Sequence, residues 1–484
     1  MSVASRAIAS QGLARRAFSL GAVKAFDHVM QFLLPVVLVR CLDAATFGEY
    51  RLVWLAAGTV LALATLGMPG ALYYFLPRSD APARRLYVHH TVLFLALTGL
   101  AAAFVVSPLN PWLPPTLAPL AKYHALVPAF VLLWVVTVLL DFLPTVEERI
   151  PLQAIATISV GAARTLLLAA GAWLTGDLGV MLWLLLAVVL FKLALLVAYI
   201  QRFHGWGRPW FAAPRFRDQI RYAAPFGLSS AFYILRSQAD QWVAATLFAL
   251  HSFAAFSIAA IVGQVVNVFR ASVLEAFMPS MSRMEAAGDM KSAMEMNARA
   301  NETVGWLLYP FLGFAFAFAE DLVALVYTSS YVDAAPVMRV YIVGLVVLVI
   351  EVSSMLQLLR QGVFNALLNA CMLVASVAAS WLAGSHLGLA GAAAGSVAAL
   401  YIDRIVTVRR IKAITGVRIR DQQHWGRIAQ LVATSAAATL VAWFTVQLAL
   451  PGSSHFARLL AGAALLGACY AAATFRRYLG RAAA

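Results

Sequence analysis

Fourteen stretches of about 20 mostly apolar residues follow one another along this 484-residue chain, and that pattern admits few folds. A bilayer-crossing helix needs that length, and each run is too long for a strand. The first six lie near 18–39, 51–75, 87–107, 123–143, 152–174 and 178–200. Six more lie near 223–248, 252–272, 303–320, 336–357, 361–383 and 387–405, and a last pair near 428–449 and 456–475. Turn chemistry separates them: Pro108, Pro111, Pro114 and Pro115 after the third, Gly176 after the fifth, Pro451-Gly452 after the thirteenth. Period-two alternation is absent, which excludes a membrane β-barrel. Charged residues make up 12% of the chain, against about 25% in a soluble domain, so a soluble or disordered chain is excluded as well. Cys41, Cys371 and Cys469 are too few and too scattered for a disulfide framework or a metal site. The chain reads as an all-α polytopic membrane protein of about 14 transmembrane helices.

The formal charge of +15 raises the question of nucleic acid, but its distribution answers it. With the N-terminus placed in the cytoplasm and the loops alternating, the inner segments hold 26 of the 36 Lys and Arg residues. This is the positive-inside asymmetry, with both termini cytoplasmic, and no nucleic-acid partner is expected. The basic N-terminus runs into Lys24, Asp27 and His28 and reads as a retained lead-in, not a cleavable signal peptide. Two long basic loops, 201–222 and 406–427, divide the spans into six, six and two, giving regions 1–207, 208–415 and 416–484. Between the eighth and ninth spans, Met281–Ala300 reads as an amphipathic helix along the inner membrane surface, with Met281, Met284, Met290 and Met294 near one face. His89-His90 are expected at the membrane interface, and the sequon at Asn301 falls on the inner side, where it is idle. No Walker loop, dinucleotide motif, HExxH pair or nucleophile elbow is found, and the outer loops are too short for a catalytic domain, so an enzyme is not expected.

The two six-span groups echo one another. Phe47-Gly48-Glu49-Tyr50 precedes a helix ending in Phe75-Leu76-Pro77-Arg78, and Phe253-Ala254-Ala255-Phe256 precedes one ending in Phe277-Met278-Pro279-Ser280. The same ordinal position in both halves points to an internally duplicated transporter. The stretch Leu42–Pro77, with Thr46-Phe47-Gly48-Glu49-Tyr50 and Leu66-Gly67-Met68-Pro69-Gly70, resembles the opening of O-antigen-type polysaccharide-export flippases. These belong to the multidrug/oligosaccharidyl-lipid/polysaccharide exporter superfamily. Pro225, Asp240, Met278–Arg283, Tyr327–Tyr331 and Ala334-Ala335-Pro336 agree, although Ser330 stands where the family usually has glycine. The resemblance covers about residues 10–415. It implies two six-helix lobes facing a central cavity, two added C-terminal helices, and translocation of a polyprenyl-diphosphate-linked oligosaccharide by alternating access in a bacterial inner membrane. Lipids, a polysaccharide polymerase and export machinery are the partners it implies.

An ionisable group at the bilayer centre costs about 2.5–3.5 kcal/mol, so each such group asks for a reason. Lys24, Asp27, His28 and Gln31 share one face of the first span and suit a watery cavity better than lipid; alternatively Lys24 and Asp27 neutralise each other, with Lys24 snorkelling to the inner surface. Ser229, Tyr233, Arg236 and Asp240 share a face of the seventh; Asp240 serves Arg236 as ion-pair partner, or Arg236 contacts substrate. Arg164, near the centre of the fifth span with no acid on its own helix, is the first candidate for a diphosphate contact, since a guanidinium fork matches phosphate oxygens. Lys192 is expected to snorkel toward the inner surface, and Arg270 to act as an interfacial anchor. Glu351 is a candidate titrating site or a partner for Arg360. Asp27, His28, Asp240 and Glu351 are the proton carriers available to an H+- or Na+-coupled cycle, and no other cofactor is expected. The rival functions are a cation-coupled multidrug exporter, a peptidoglycan-precursor (lipid II) flippase, and a membrane glycosyltransferase or polymerase. Three buried bases suit the first poorly, and the short outer loops argue against the last.

Overall fold

The helices of this chain are repeatedly interrupted, and the interruptions position its polar groups. The computed structural model describes residues 26–482; Lys24 and the basic N-terminal segment lie outside them. All regular structure among the described residues is helical. Two compact units result, residues 1–238 and 239–484, with the division falling inside one helix.

In the first unit, α1 (26–41) ends before Asp43, whose carboxylate accepts the amides of Ala45 and Thr46 and starts α2 (Ala44–Thr65). Those hydrogen bonds hold the Asp43 carboxyl below its ordinary pKa. Leu66 and Gly67 both take left-handed backbone conformations, breaking α2 from α3 (Met68–Phe75). Gly227 packs against this break so closely that a Cβ there would lie 2.1 Å from the Leu66 carbonyl carbon, so only glycine fits. Five helices follow: α4 (Ala81–Val105), α5 (Leu126–Thr137), α6 (Leu139–Val146), α7 (Ile150–Thr175) and α8 (Leu178–Phe203). Then comes α9 (Ala213–Leu247), within which the two units divide.

The second unit continues through α10 (Leu250–Ala259), α11 (Ile261–Ala286) and α12 (Met290–Ala317). A bend of 82° separates α12 from α13 (Ala319–Tyr327). After α14 (Ala334–Leu348) the chain unwinds over four residues before α15 (Ser353–Leu358). A long run, α16 (Gly362–Thr415), is two helices turned at Gly388, whose backbone (φ 70°, ψ −154°) is open to glycine alone. The short α17 (Ile419–Gln422) leads to α18 (Trp425–Ala449) and α19 (His455–Ala482). This last pair is welded to the unit. Phe318, Val446 and Leu459 form a buried apolar cluster, Tyr470 donates to the Trp306 carbonyl, and Asp321 holds His455 and Arg458. The two motif echoes sit alike in their units: Phe47, Tyr50, Phe253 and Phe256 are all buried at helix starts.

Nine helices among the described residues are long and apolar enough to span a membrane, or ten with the bent α12–α13 pair, so the expected fourteen is not confirmed by that measure. The shortfall has physical causes. Polar Arg236, Gln238, Asp240 and Gln241 crowd the latter part of α9, the unwinding after Leu348 cuts α14 short, and α1 is described only from residue 26. The expected surface helix at 281–300 is absent as such. α11 runs on to Ala286 and α12 begins at Met290, while Met281 and Met294 are buried inside the protein, not against lipid.

Candidate functional site

In the first unit, small residues let charged ones approach. Gly161 lies one turn before Arg164 on α7, and a Cβ there would come within 3.2 Å of Asp27 Oδ1. Asp27, on α1, thereby reaches Arg164 Nη2 at 3.4 Å while accepting a 2.6 Å hydrogen bond from Gln31 Nε2. The guanidinium stands 5.9 Å from the centre of the Trp54 ring, which is set edge-on against Phe130 and Trp134. Arg164 therefore has an acid partner, supplied by a helix 137 residues away. That partner is a poor match for it: a guanidinium carries five N–H donors, and this acceptor is a single oxygen at long range. Arg164 Nε and Thr165 Oγ1 are both buried with no hydrogen-bond partner among the described residues. The Arg164 side chain is 11% exposed, whereas His28 and Gln31 on α1 are open. An unmet buried donor costs about 1–3 kcal/mol, and this centre leaves such a donor on its guanidinium.

Lys192 does not snorkel. Its ammonium is buried against Asp141 Oδ2 at 2.7 Å and lies 5.1 Å from the Trp134 ring centre. An acid within reach removes the reason to stretch toward water. His89 and His90, expected at the interface, are fully buried beneath the segment that follows α8. That segment's backbone needs partners, and the two rings supply them: His89 Nε2 lies 3.1 Å from the Gly205 carbonyl, and Ala212 donates to His90 Nε2 at 3.0 Å. Beside them, Glu147 accepts from Tyr199 and lies 3.1 Å from His204 and 3.5 Å from Arg149. Burial pushes the Glu147 carboxyl up, but these partners outweigh it and leave its pKa below the ordinary value. On α9, Arg236 is half-buried, 5.8 Å from the Tyr233 ring centre.

In the second unit, Asp240 and Glu351 each anchor a polar centre. Asp240, 4% exposed, accepts from Ser396 Oγ at 2.5 Å and Tyr341 Oη at 2.9 Å. Its carboxylate is thus met by neutral hydroxyls from two other helices. Glu351 occupies the unwound stretch between α14 and α15 and accepts the amides of Ser353 and Ser354 at 2.6 and 3.1 Å. Its cation is Arg270, not Arg360, and Arg270 is a buried partner of that acid, not an interfacial anchor. The unwinding leaves backbone groups that Asn301 satisfies from α12, accepting from Glu351 N–H and donating to the Glu351 carbonyl. Asn301 also donates to Gln423, and Gln423 to Asn297, so the sequon asparagine is a buried structural hub.

Sequence reasoning singled out Arg164, Arg270, Asp27 and Glu351 singly but not their pairings, and it missed the Asp141 partner of Lys192. Asp141, Tyr341 and Ser396 gave too little signal, and Asn297 and Gln423 gave none. Asp141 stood visibly inside an apolar run.

Residues 13–285 match the model of the family described as polysaccharide biosynthesis protein. None of the curated proteins matches the chain. Among solved structures, the lipid II flippase MurJ in an inward closed conformation is similar over 94% of this chain and 98% of its own, at 14% identity and a TM-score of 0.71. An inward-facing multidrug resistance MATE transporter of the MOP superfamily is similar over 80% of this chain and 95% of its own, at 16% identity and a TM-score of 0.62. A MOP superfamily transporter from Pyrococcus furiosus, described as having a binding pocket of reverse polarity, is similar at 15% identity and a TM-score of 0.54, over 83% and 96% of the two chains. At these identities the likeness establishes a shared fold.

Proposed function

This chain belongs to the polysaccharide biosynthesis protein family, and from that premise we propose that it flips a polyprenyl-diphosphate-linked oligosaccharide across the bacterial inner membrane by alternating access. The family match and a fold shared with MOP superfamily transporters support this reading; the oligosaccharide, the membrane and the cytoplasmic termini are part of the proposal. The observation that carries it is the donor surplus around Arg164, a fixed cation in the middle of a membrane helix with a single distant acceptor among the described residues. A diphosphate supplies several oxygens to such a fork, and its charge is otherwise prohibitive to move through a low-dielectric path. Lys24, Arg236 and the polar face of Asp27, His28 and Gln31 would share the headgroup, while the polyprenyl tail stays in lipid.

In this reading residues 1–207 and 208–415 are the two moving lobes and residues 416–484 an addition to them. Asp240, ringed by hydroxyls, suits the uptake of H+ or Na+ and would couple the cycle to an ion gradient. Glu351 is better suited to holding Arg270 than to carrying protons. A multidrug exporter of organic cations is disfavoured by the same donor surplus. A peptidoglycan precursor presents the same diphosphate, and the family match favours the polysaccharide unit over it. Delivery to a polymerase and export machinery follows from that product.

Deleting the gene tests the reading. Lipid-linked repeat units are expected to accumulate on the inner leaflet and one surface polysaccharide to disappear. Unchanged polysaccharide with altered drug sensitivity would replace the flippase with an exporter.

A further inference from the structure

One face of α9 in the first unit carries aromatic rings, hydroxyls and a cation together. Tyr222, Phe226, Ser229, Tyr233 and Arg236 fall at i, i+4, i+7, i+11 and i+14, within about 80° of arc at 100° per residue. The row rises about 21 Å along the helix at 1.5 Å per residue. At its Tyr222 end the rings are in contact with one another. Arg78 lies 4.1 Å from the Tyr74 ring centre, Tyr74 stacks on Tyr222 at 4.5 Å, and Tyr222 meets Phe226 at 5.6 Å. These rings are not core. Phe226 is 66% exposed and Tyr233 45%, and Tyr74 is also open.

An exposed ring cluster of this kind has two explanations, a lipid-facing surface or a surface that meets a ligand. Lipid contact accounts for Phe226 but not for its neighbours on the same face: a serine hydroxyl, two phenols and a guanidinium in the helix that fails the apolar test for a span. Rings with polar tips, interleaved with hydroxyls, fit a ligand that is apolar on its faces and polar on its edges. A pyranose is such a molecule. Its C–H faces lie flat on aromatic rings while its hydroxyls bond to Tyr and Ser oxygens.

We propose that Tyr74, Tyr222, Phe226 and Tyr233 form the glycan track of the transporter, on which the sugars of the lipid-linked unit stack while the diphosphate is held at and beyond the Arg236 end of the row. The proposal rests on the flippase reading and assigns the sugar-contacting residues within it. The row would then serve glycan binding in proportion to sugar number and leave binding of the bare carrier untouched.

The test measures binding of two probes to the full chain in nanodiscs: lipid-linked repeat units extracted from the source strain deleted for this gene, and undecaprenyl diphosphate bearing no sugar. Phe226→Ala and Tyr233→Ala should each weaken binding of the glycosylated probe about tenfold, the loss of roughly 1–1.5 kcal/mol of ring contact. Both variants should bind the sugar-free probe within twofold of wild type. Phe226→Trp, which keeps a ring, should bind both probes as wild type does and so separates ring loss from misfolding. Equal weakening of both probes, or no change in either, overturns the glycan track and leaves the flippase standing. Failure of the wild type to bind either probe removes the flippase reading and the track with it.

Discussion

Glu351→Ala should destabilise the second unit by about 3–5 kcal/mol, because it takes the acid away from the largely buried Arg270 guanidinium. The Glu351 side chain is 5% exposed and that of Arg270 15%, so water cannot take over the lost contact. The same substitution uncaps the amides of Ser353 and Ser354 at the start of α15. In detergent, the midpoint of thermal unfolding should fall by roughly 6–20 °C. Glu351→Gln keeps an acceptor for those amides and should lie between wild type and the alanine variant. The double variant Glu351→Ala/Arg270→Ala should recover part of the loss, since it removes the charge deprived of its acid. An unchanged midpoint in Glu351→Ala would mean that the pair is not what holds the unwound stretch.

Arg164→Ala should leave protein levels in the membrane normal and lower transport about 10- to 100-fold, the weight of one to two charge-assisted hydrogen bonds. Its normal folding is expected because the Asp27 carboxylate keeps the Gln31 amide and is partly open to solvent. Arg164→Lys keeps the charge but not the planar fork, so it should restore transport only in part. Full transport by the alanine variant would contradict the placement of the diphosphate beside α7.

Helices were legible in the sequence because their signal is local: a run of apolar residues announces itself within 20 positions. Their interruptions were partly legible. Leu66-Gly67 was noticed as a motif, but its left-handed turn follows from the approach of Gly227, 160 residues on. Buried cations were legible one by one, since Arg164, Lys192 and Arg270 are costly wherever the bilayer centre falls. Their partners were not. Asp27 lies 137 residues from Arg164, Asp141 lies 51 from Lys192, and nothing in either spacing encodes the contact. Lys192 and Arg270 were therefore assigned to the membrane surface, where an unpaired cation goes, when each in fact has an acid. The polar hub of Asn297, Asn301 and Gln423 was invisible for a further reason: neutral amides are cheap enough in a membrane helix to draw no notice singly.

A protein that moves an anionic, diphosphate-linked glycan lipid must expose that lipid on both faces of a bilayer. The direct measurement uses liposomes loaded symmetrically with the lipid-linked repeat unit extracted from the deletion strain, with and without the purified full chain. A membrane-impermeant glycosidase added outside reports the accessible fraction over time. Without protein, digestion should stop near half of the lipid; with protein it should run on toward completion, and with the Arg164→Ala protein it should proceed 10- to 100-fold more slowly. Digestion that halts at half in the presence of the intact wild-type protein, whatever ion gradient is imposed, would contradict the account.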